Sequence, residues 1–179
     1  MSQALAAVAR LAHRPAARDT VRDFEALYRS CRDDVYGYVA TMVRDAATTA
    51  EDVVATAFER AYRRHRQYDP RRGTQRAWVF GIARNAALDE LRRRKRHAAL
   101  LLEPADESAA PAEDPTQRAT VRAALDTLRT REREIVALKY GAGLSNAELA
   151  GVLGVSESNA GTLVHRAMTK LREACCVPA

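Results

Sequence analysis

Between residues 60 and 96 the chain carries thirteen cations: Arg60, Arg63, Arg64, Arg66, Arg71, Arg72, Arg76, Arg84, Arg92, Arg93, Arg94, Lys95 and Arg96. Only Asp69, Asp89 and Glu90 oppose them. Planar guanidinium forks bond phosphate oxygens in pairs, so this stretch suits a nucleic-acid backbone. If about six of these cations touch phosphates, affinity should fall about a thousandfold between roughly 50 and 200 mM salt. Tyr62, Tyr68 and Trp78 lie among the cations and offer faces on which unpaired bases stack; Trp78 also fits a core position. Arg84 and Asn85 border the apolar positions of the stretch and can read an extruded base. Asn85 fits a cap or a surface position equally well.

A second constellation runs from Ser145 to Leu171 and has helix-turn-helix spacing. Ala150 supplies the small residue where one helix crosses the other. Gly154, four positions on, tolerates the backbone angles of a tight turn, and the apolar Val155 follows. With Leu149, Leu153, Ala160 and either Leu163 or Val164 inside, Glu157, Ser158, Gly161, Thr162, His165 and Arg166 face outward. Side chains near the start of the second helix reach base edges in the major groove. Ser156, Ser158 and Thr162 can instead bond phosphates, which carries no sequence information.

The elements that must hold these groups are helical. In Gln75–Arg96, Trp78, Val79, Ile82, Ala83 and Ala86 share one face, while Phe80, Ala87, Leu88 and Leu91 share another. A helix apolar on two sides needs neighbours on both, and its last turn is Arg92-Arg93-Arg94-Lys95-Arg96. Upstream, Phe24, Leu27, Tyr28, Cys31, Val35, Tyr38, Val39 and Met42 recur at helical spacing over 23–43, with Asp19 or Thr20 as the expected cap. Thr48 and Glu51 form an expected capping box before the stripe Val54, Ala57, Phe58, Ala61, Tyr62 and His65. Asp69-Pro70-Arg71-Arg72-Gly73 predicts a turn.

Residues 98–115 break the pattern with Pro104, Pro111 and Pro115, and their charges are all acidic: Glu103, Asp106, Glu107, Glu113 and Asp114. This stretch is an expected linker; its acidity fits a device for solubility, or alternatively a segment that lies over the cationic surface and competes with nucleic acid. Beyond it, Asp114-Pro115 marks a helix start and Val121, Leu125 and Leu128 its stripe. Thr130 is the expected cap of a helix over 131–140 that Gly141-Ala142-Gly143 ends. Ser145 with Glu148 is a capping box, and Ser156 caps the last helix, with Ala160, Val164, Ala167 and Leu171 inward. The expected fold is all-α: two small helical domains joined by an acidic Pro/Ala-rich linker, the second containing a helix-turn-helix. The divisions are 1–20, a flexible leader; 21–97, the first domain; 98–115, the linker; and 116–176, the second domain.

The 179 residues carry a net charge of +6, with 29% charged and 47% hydrophobic residues, which fits a folded chain. Cys31, Cys175 and Cys176 show no C-x-x-C spacing, which argues for a reducing compartment and against a disulfide framework or zinc site. The Cys175–Cys176 pair is at most a redox handle. No apolar run approaches the roughly 20 residues of a membrane span. A cytoplasmic location is expected, with no membrane insertion and no cofactor or metal.

The two halves together resemble bacterial RNA polymerase sigma factors. Phe24 to His97, with AEDVVATAFERAYRRHRQYD and RAWVFGIARNAALDELRRRKR, is similar to their region two. Leu125 to Glu173, with LRTREREIVALKYGAGLSNAELAGVLGVSESNAGTLVHRAMTKLR, is similar to region four. The short linker resembles that of the extracytoplasmic-function branch. The resemblance implies that Asp52, Val53, Val54 and Phe58 bind core polymerase at its clamp. It implies that Arg76, Trp78, Arg84, Asn85, Arg92, Arg93 and Lys95 face the minus-ten element and hold its strand open. It implies that Ser156, Glu157, Ser158, Asn159, Thr162, His165 and Arg166 enter the minus-thirty-five major groove, with the polymerase flap as a further contact. An anti-sigma factor is an implied partner beside core RNA polymerase and promoter DNA. Ala55 replaces a family-typical Gln and Gln75 a usual Phe, and the usual basic residue near Gly161 and Leu163 is missing.

Two other functions compete with a promoter-specificity subunit. A stand-alone helix-turn-helix regulator explains the second half but leaves the first half's basic helix idle. An enzyme acting on nucleic acid would need a metal-ligand cluster, paired carboxylates or a phosphate-cradling Gly loop, and the sequence offers no catalytic residues of that kind.

Overall fold

The computed structural model describes residues 17–44, 47–101 and 117–176. Within them every long element is a helix: α1 Ala17–Val43, α2 Ala47–Arg64, α3 Gln75–Leu101, α4 Gln117–Thr127, α5 Thr130–Val136, α6 Asn146–Leu153 and α7 Glu157–Cys176. Short 3-10 turns at His65–Gln67 and Pro70–Arg72 link α2 to α3, and a π-helical turn at Ala137–Gly141 follows α5. The linker and the Asp114-Pro115 helix start fall outside the described residues, apart from the linker's first residues, which continue α3 as far as Leu101.

The periodicities convert directly into burial. Cys31, Val35, Tyr38, Val39 and Met42 of α1 meet Val54, Ala57, Phe58 and Ala61 of α2. Between them α3 buries Val79, Phe80, Ile82, Ala83, Ala86 and Ala87, on the two sides its sequence predicts. Tyr38 and Phe80 pack edge to face, centroids 5.8 Å apart, and burying a ring such as Phe80 is worth about 1.5–3 kcal/mol. In the second half Ile135, Leu138, Leu144, Leu149 and Ala160 are almost wholly inaccessible. The buried residues of both halves form one contiguous cluster: α3 packs on α6, and α1 packs on α5 and the π-helical turn.

Several helix starts differ from expectation. Asp19 and Thr20 lie inside α1, because no residue between Ala17 and Thr20 resists the helix. Thr48 is the second residue of α2, so it is not that helix's cap. Thr130 is the first residue of α5 rather than its cap; the Glu132 carboxylate instead accepts from the Arg129 backbone N–H at 3.1 Å. Val121 is 46% exposed, and Ala124, one turn on, takes its place against the core. Cys31 is buried, and its thiol donates to the Leu27 carbonyl at 3.0 Å. Burial pushes that thiol's pKa up, which makes it unreactive.

Candidate nucleic-acid interface

The helix-turn-helix is built as its residues dictate. The Ser145 hydroxyl accepts from the Glu148 N–H at 3.2 Å, while Glu148 accepts from the Ser145 N–H at 2.9 Å, so the capping box closes both ways. Gly154 ends α6 in the left-handed region at φ 69°, its N–H bonded to the Ala150 carbonyl. Such a φ costs an ordinary residue its Cβ clearance. Ser156 then caps α7 by accepting from the Asn159 N–H at 3.3 Å. Ala160 and Ala167 turn inward. Ser156, Glu157, Ser158, Asn159, Thr162, His165 and Arg166 all lie exposed, on and just before the first turns of α7. That surface is free to enter a groove.

The cationic helix is less open than its sequence suggests. Asp69 accepts from the Arg71 N–H at 3.0 Å and shapes the turn that delivers α3, while Thr74 accepts from the Ala77 N–H at 3.2 Å and caps it. Arg92, Arg93 and Lys95 are exposed, as is Asn85 nearer the middle, but they are not the last turn that the sequence suggests: the helix runs on past them to Leu101. The acids of the same helix partly neutralise this cluster. Arg92 pairs with Asp89 at 3.3 Å, and Arg93 and Arg94 share Glu90 at 2.8 and 2.9 Å. The Arg93 hydrogen bond, with help from Arg94, holds the Glu90 carboxyl below its usual range.

Arg76 and Arg84 point elsewhere. Arg76 donates to Asp34 at 2.7 Å and to the Ala142 carbonyl at 2.6 Å, and its guanidinium lies 5.3 Å from the Phe80 ring centroid. Arg84 donates to Glu134 at 2.6 Å. Trp78 is half-buried beside Tyr68, centroids 5.7 Å apart. Both line a cleft of about 750 Å³ with Arg71 and Asn85 on one side and Glu148 and Val152 on the other. Of the residues implied to dock on polymerase, Asp52 is exposed, whereas Val53, Val54 and Phe58 are at most 6% exposed and belong to the core.

Sequence reasoning missed Asp34, Thr74 and Glu134. Thr74 stood in the position of a helix cap, a signal available in the sequence. Asp34 and Glu134 carry none, because their partners lie 42 and 50 residues away. Among the described residues no group of three or more His, Cys, Asp or Glu is placed to hold a metal ion. No described helix is long and apolar enough to cross a membrane.

One group of helices carries an exposed arginine cluster and the other an exposed helix-turn-helix. Residues 27–97 match the family model Sigma-70 region 2, and residues 118–171 match Sigma-70, region 4. The ECF RNA polymerase sigma factor SigE of Mycolicibacterium smegmatis is 33% identical over 159 residues, 84% of this chain but only 60% of that protein. SigX of Bacillus subtilis, also an ECF RNA polymerase sigma factor, is 29% identical over 84% of this chain and 82% of its own. Among solved structures, CnrH in complex with the cytosolic domain of CnrY superposes with a TM-score of 0.63 at 30% identity, covering 85% of this chain and 86% of that one. The sigma factor RpoE in complex with the anti-sigma factor NepR from Bartonella quintana shares the fold, with a TM-score of 0.76 at 22% identity over 88% of this chain and 99% of that one. The chain belongs to the ECF RNA polymerase sigma factor family.

Proposed function

We propose that this chain binds core RNA polymerase, directs it to particular promoters and nucleates melting at the minus-ten element, catalysing nothing itself. The observation that carries this reading is the order of the two matched regions, region 2 then region 4, on one chain whose α7 reading face is exposed. Residues 21–97 form the module that meets polymerase and the minus-ten strand. Residues 98–115 link it to 116–176, the module that meets the minus-thirty-five duplex, and 1–20 precede both. Asp52 and its exposed neighbours on α2 present the polymerase-facing surface, with Val53, Val54 and Phe58 holding that surface in place from beneath. Arg92, Arg93 and Lys95 track phosphates without reading sequence, while Trp78, Asn85 and, once released, Arg76 and Arg84 address the unpaired strand. Ser156, Glu157, Ser158, Asn159, Thr162, His165 and Arg166 face base edges and flanking phosphates.

An anti-sigma factor is a further partner, supported by the complexes in which RpoE and CnrH were solved. The chain works in the cytoplasm, where polymerase is. Gel filtration with core polymerase tests the assignment. Comigration is expected. Tight binding of the chain alone to a duplex operator, with no association with core enzyme, would instead favour a stand-alone regulator.

A further inference from the structure

From Tyr140 to His165 the chain contains no lysine or arginine, although its net charge is +6. That span holds all of α6, the tight turn and the first two turns of α7. Glu148 and Glu157 are its only formal charges. The reading helix therefore brings no cation to the phosphates with its leading turns. It also lacks there the side chains that most often select guanine, since Arg and Lys bond the guanine O6 and N7 together.

What α7 does present is set by its geometry. Residues advance about 100° each, so Ser158, Thr162, His165 and Thr169 fall within about 60° of one another. All four are exposed, on the side away from the buried Ala160, Ala167 and Leu171. Thr162, on the second turn, stands where a recognition helix meets base edges. Gly161 beside it has no side chain to hold the helix off the groove floor. Arg166, the first cation after Lys139, lies about 12 Å beyond Ser158 along the axis and about 100° round from His165, a place suited to a phosphate.

The hydroxyl hydrogen of Thr162 is already committed, because it donates to the Ser158 carbonyl at 3.1 Å. Thr169 donates to the His165 carbonyl in the same way at 3.0 Å. A phosphate oxygen only accepts, so a hydroxyl whose one hydrogen is spent inside its own helix suits it poorly. Thr162 keeps its methyl group and its oxygen lone pairs for a partner. In the major groove thymine alone shows a methyl group, and its adenine shows an amino donor. Methyl against methyl, with an acceptor beside it, matches an A·T pair.

We propose that Thr162 is a specificity-determining residue of the upstream contact, selecting thymine through its C5 methyl group, so that the element facing the first two turns of α7 is read as A·T pairs without a required guanine. The inference rests on the function proposed above and names the base chemistry of that same site.

The test uses the full-length chain bound to core polymerase and promoter fragments selected from a randomised upstream library. The selected fragments should share a required thymine. Replacing it with deoxyuridine, which lacks only the methyl group, should weaken binding about fourfold, the worth of one buried methyl-sized group. Thr162→Ser keeps the hydroxyl and removes the protein's methyl group. It should lose about the same fourfold on the thymine site, and deoxyuridine should then cost it nothing more. A merely structural role for Thr162 would leave the deoxyuridine penalty in place. That persistence, or a selected element with required guanines and no required thymine, would overturn the proposal. Selection by the chain alone on the same duplex library separates the two failures. A chain that initiates with polymerase at sites indifferent to the methyl group keeps its function and loses this reading. A chain that never joins polymerase, but selects duplexes through that methyl group, keeps the reading and loses the function.

Discussion

The Thr74 hydroxyl donates to the Glu148 carboxylate at 2.6 Å, so the residue that caps the arginine-rich helix α3 also touches the residue that closes the cap of the helix-turn-helix. Two helix N-termini 71 residues apart, at Gln75 and Asn146, meet at one carboxylate. Helix starts leave backbone N–H groups unpaired, and an anionic side chain there is stabilising. This meeting point ties the orientation of α3 to that of α6.

The charge on Glu148 therefore carries stability that depends on pH. The Thr74 hydrogen bond, followed by the Ser145 N–H and hydroxyl, holds its carboxyl below the ordinary 4.5. Glu132, paired with Lys170, is lowered likewise. A carboxyl depressed in the folded state contributes stability that is fully present above its unfolded pKa and lost as pH falls through the folded value. The melting temperature should hold steady from neutral pH down to about 5 and then drop as these carboxyls protonate. Glu148→Gln should flatten part of that drop, and a melting curve with an unaltered acid slope would refute the assignment.

Arg92 and Arg93, exposed, and Arg94, half-buried beside Glu90, should act without regard to sequence. Replacing Arg92, Arg93 and Arg94 together with Ala should weaken engagement of every promoter and reduce the salt slope by about 2, since each phosphate contact on a single strand contributes about 0.7. Filter binding across a salt series measures both. A loss confined to one promoter would mean that these side chains read bases.

Thr162 and His165 sit exposed on the outer face of α7. Substituting either should change which upstream element is preferred, by about 1–3 kcal/mol at the affected base pair. Selection from a randomised upstream library should reveal the change. An unaltered preference would assign these residues to phosphates or solvent.

Gly154 tests the turn. A Cβ built there meets nothing within 4 Å, so the cost of Gly154→Ala comes from its φ of 69° alone. That cost is about 1–2 kcal/mol. Thermal denaturation should show a drop of several degrees with the helix content intact.

What the sequence made legible follows the range of the interaction. Caps such as Ser145 with Glu148, the left-handed Gly154 and the two buried sides of α3 depend on residues within a turn or two of one another, and a periodic sequence displays them. The start of α1 was misplaced because the polar residues Asp19 and Thr20 imitate a cap, yet nothing before them forbids a helix. Val121 satisfied the period of α4, but tertiary packing selected Ala124 instead. The contacts between modules had no local signature. Arg84 looked like a free cation because Glu134, its partner, belongs to a helix on the far side of the linker. Val53, Val54 and Phe58, which the resemblance implies dock on polymerase, show the same limit: a motif identifies the segment, and packing decides which of its side chains reach the surface.

The central claim is that two helical modules cooperate on one promoter through core polymerase. Run-off transcription by core enzyme lacking its own specificity subunit, with 5′ ends mapped across a genomic template, tests it most directly. Addition of this chain should yield transcripts starting at a small set of sites that share both an upstream and a minus-ten motif. Stable association with core enzyme but no defined start sites, or no association at all, would contradict the account.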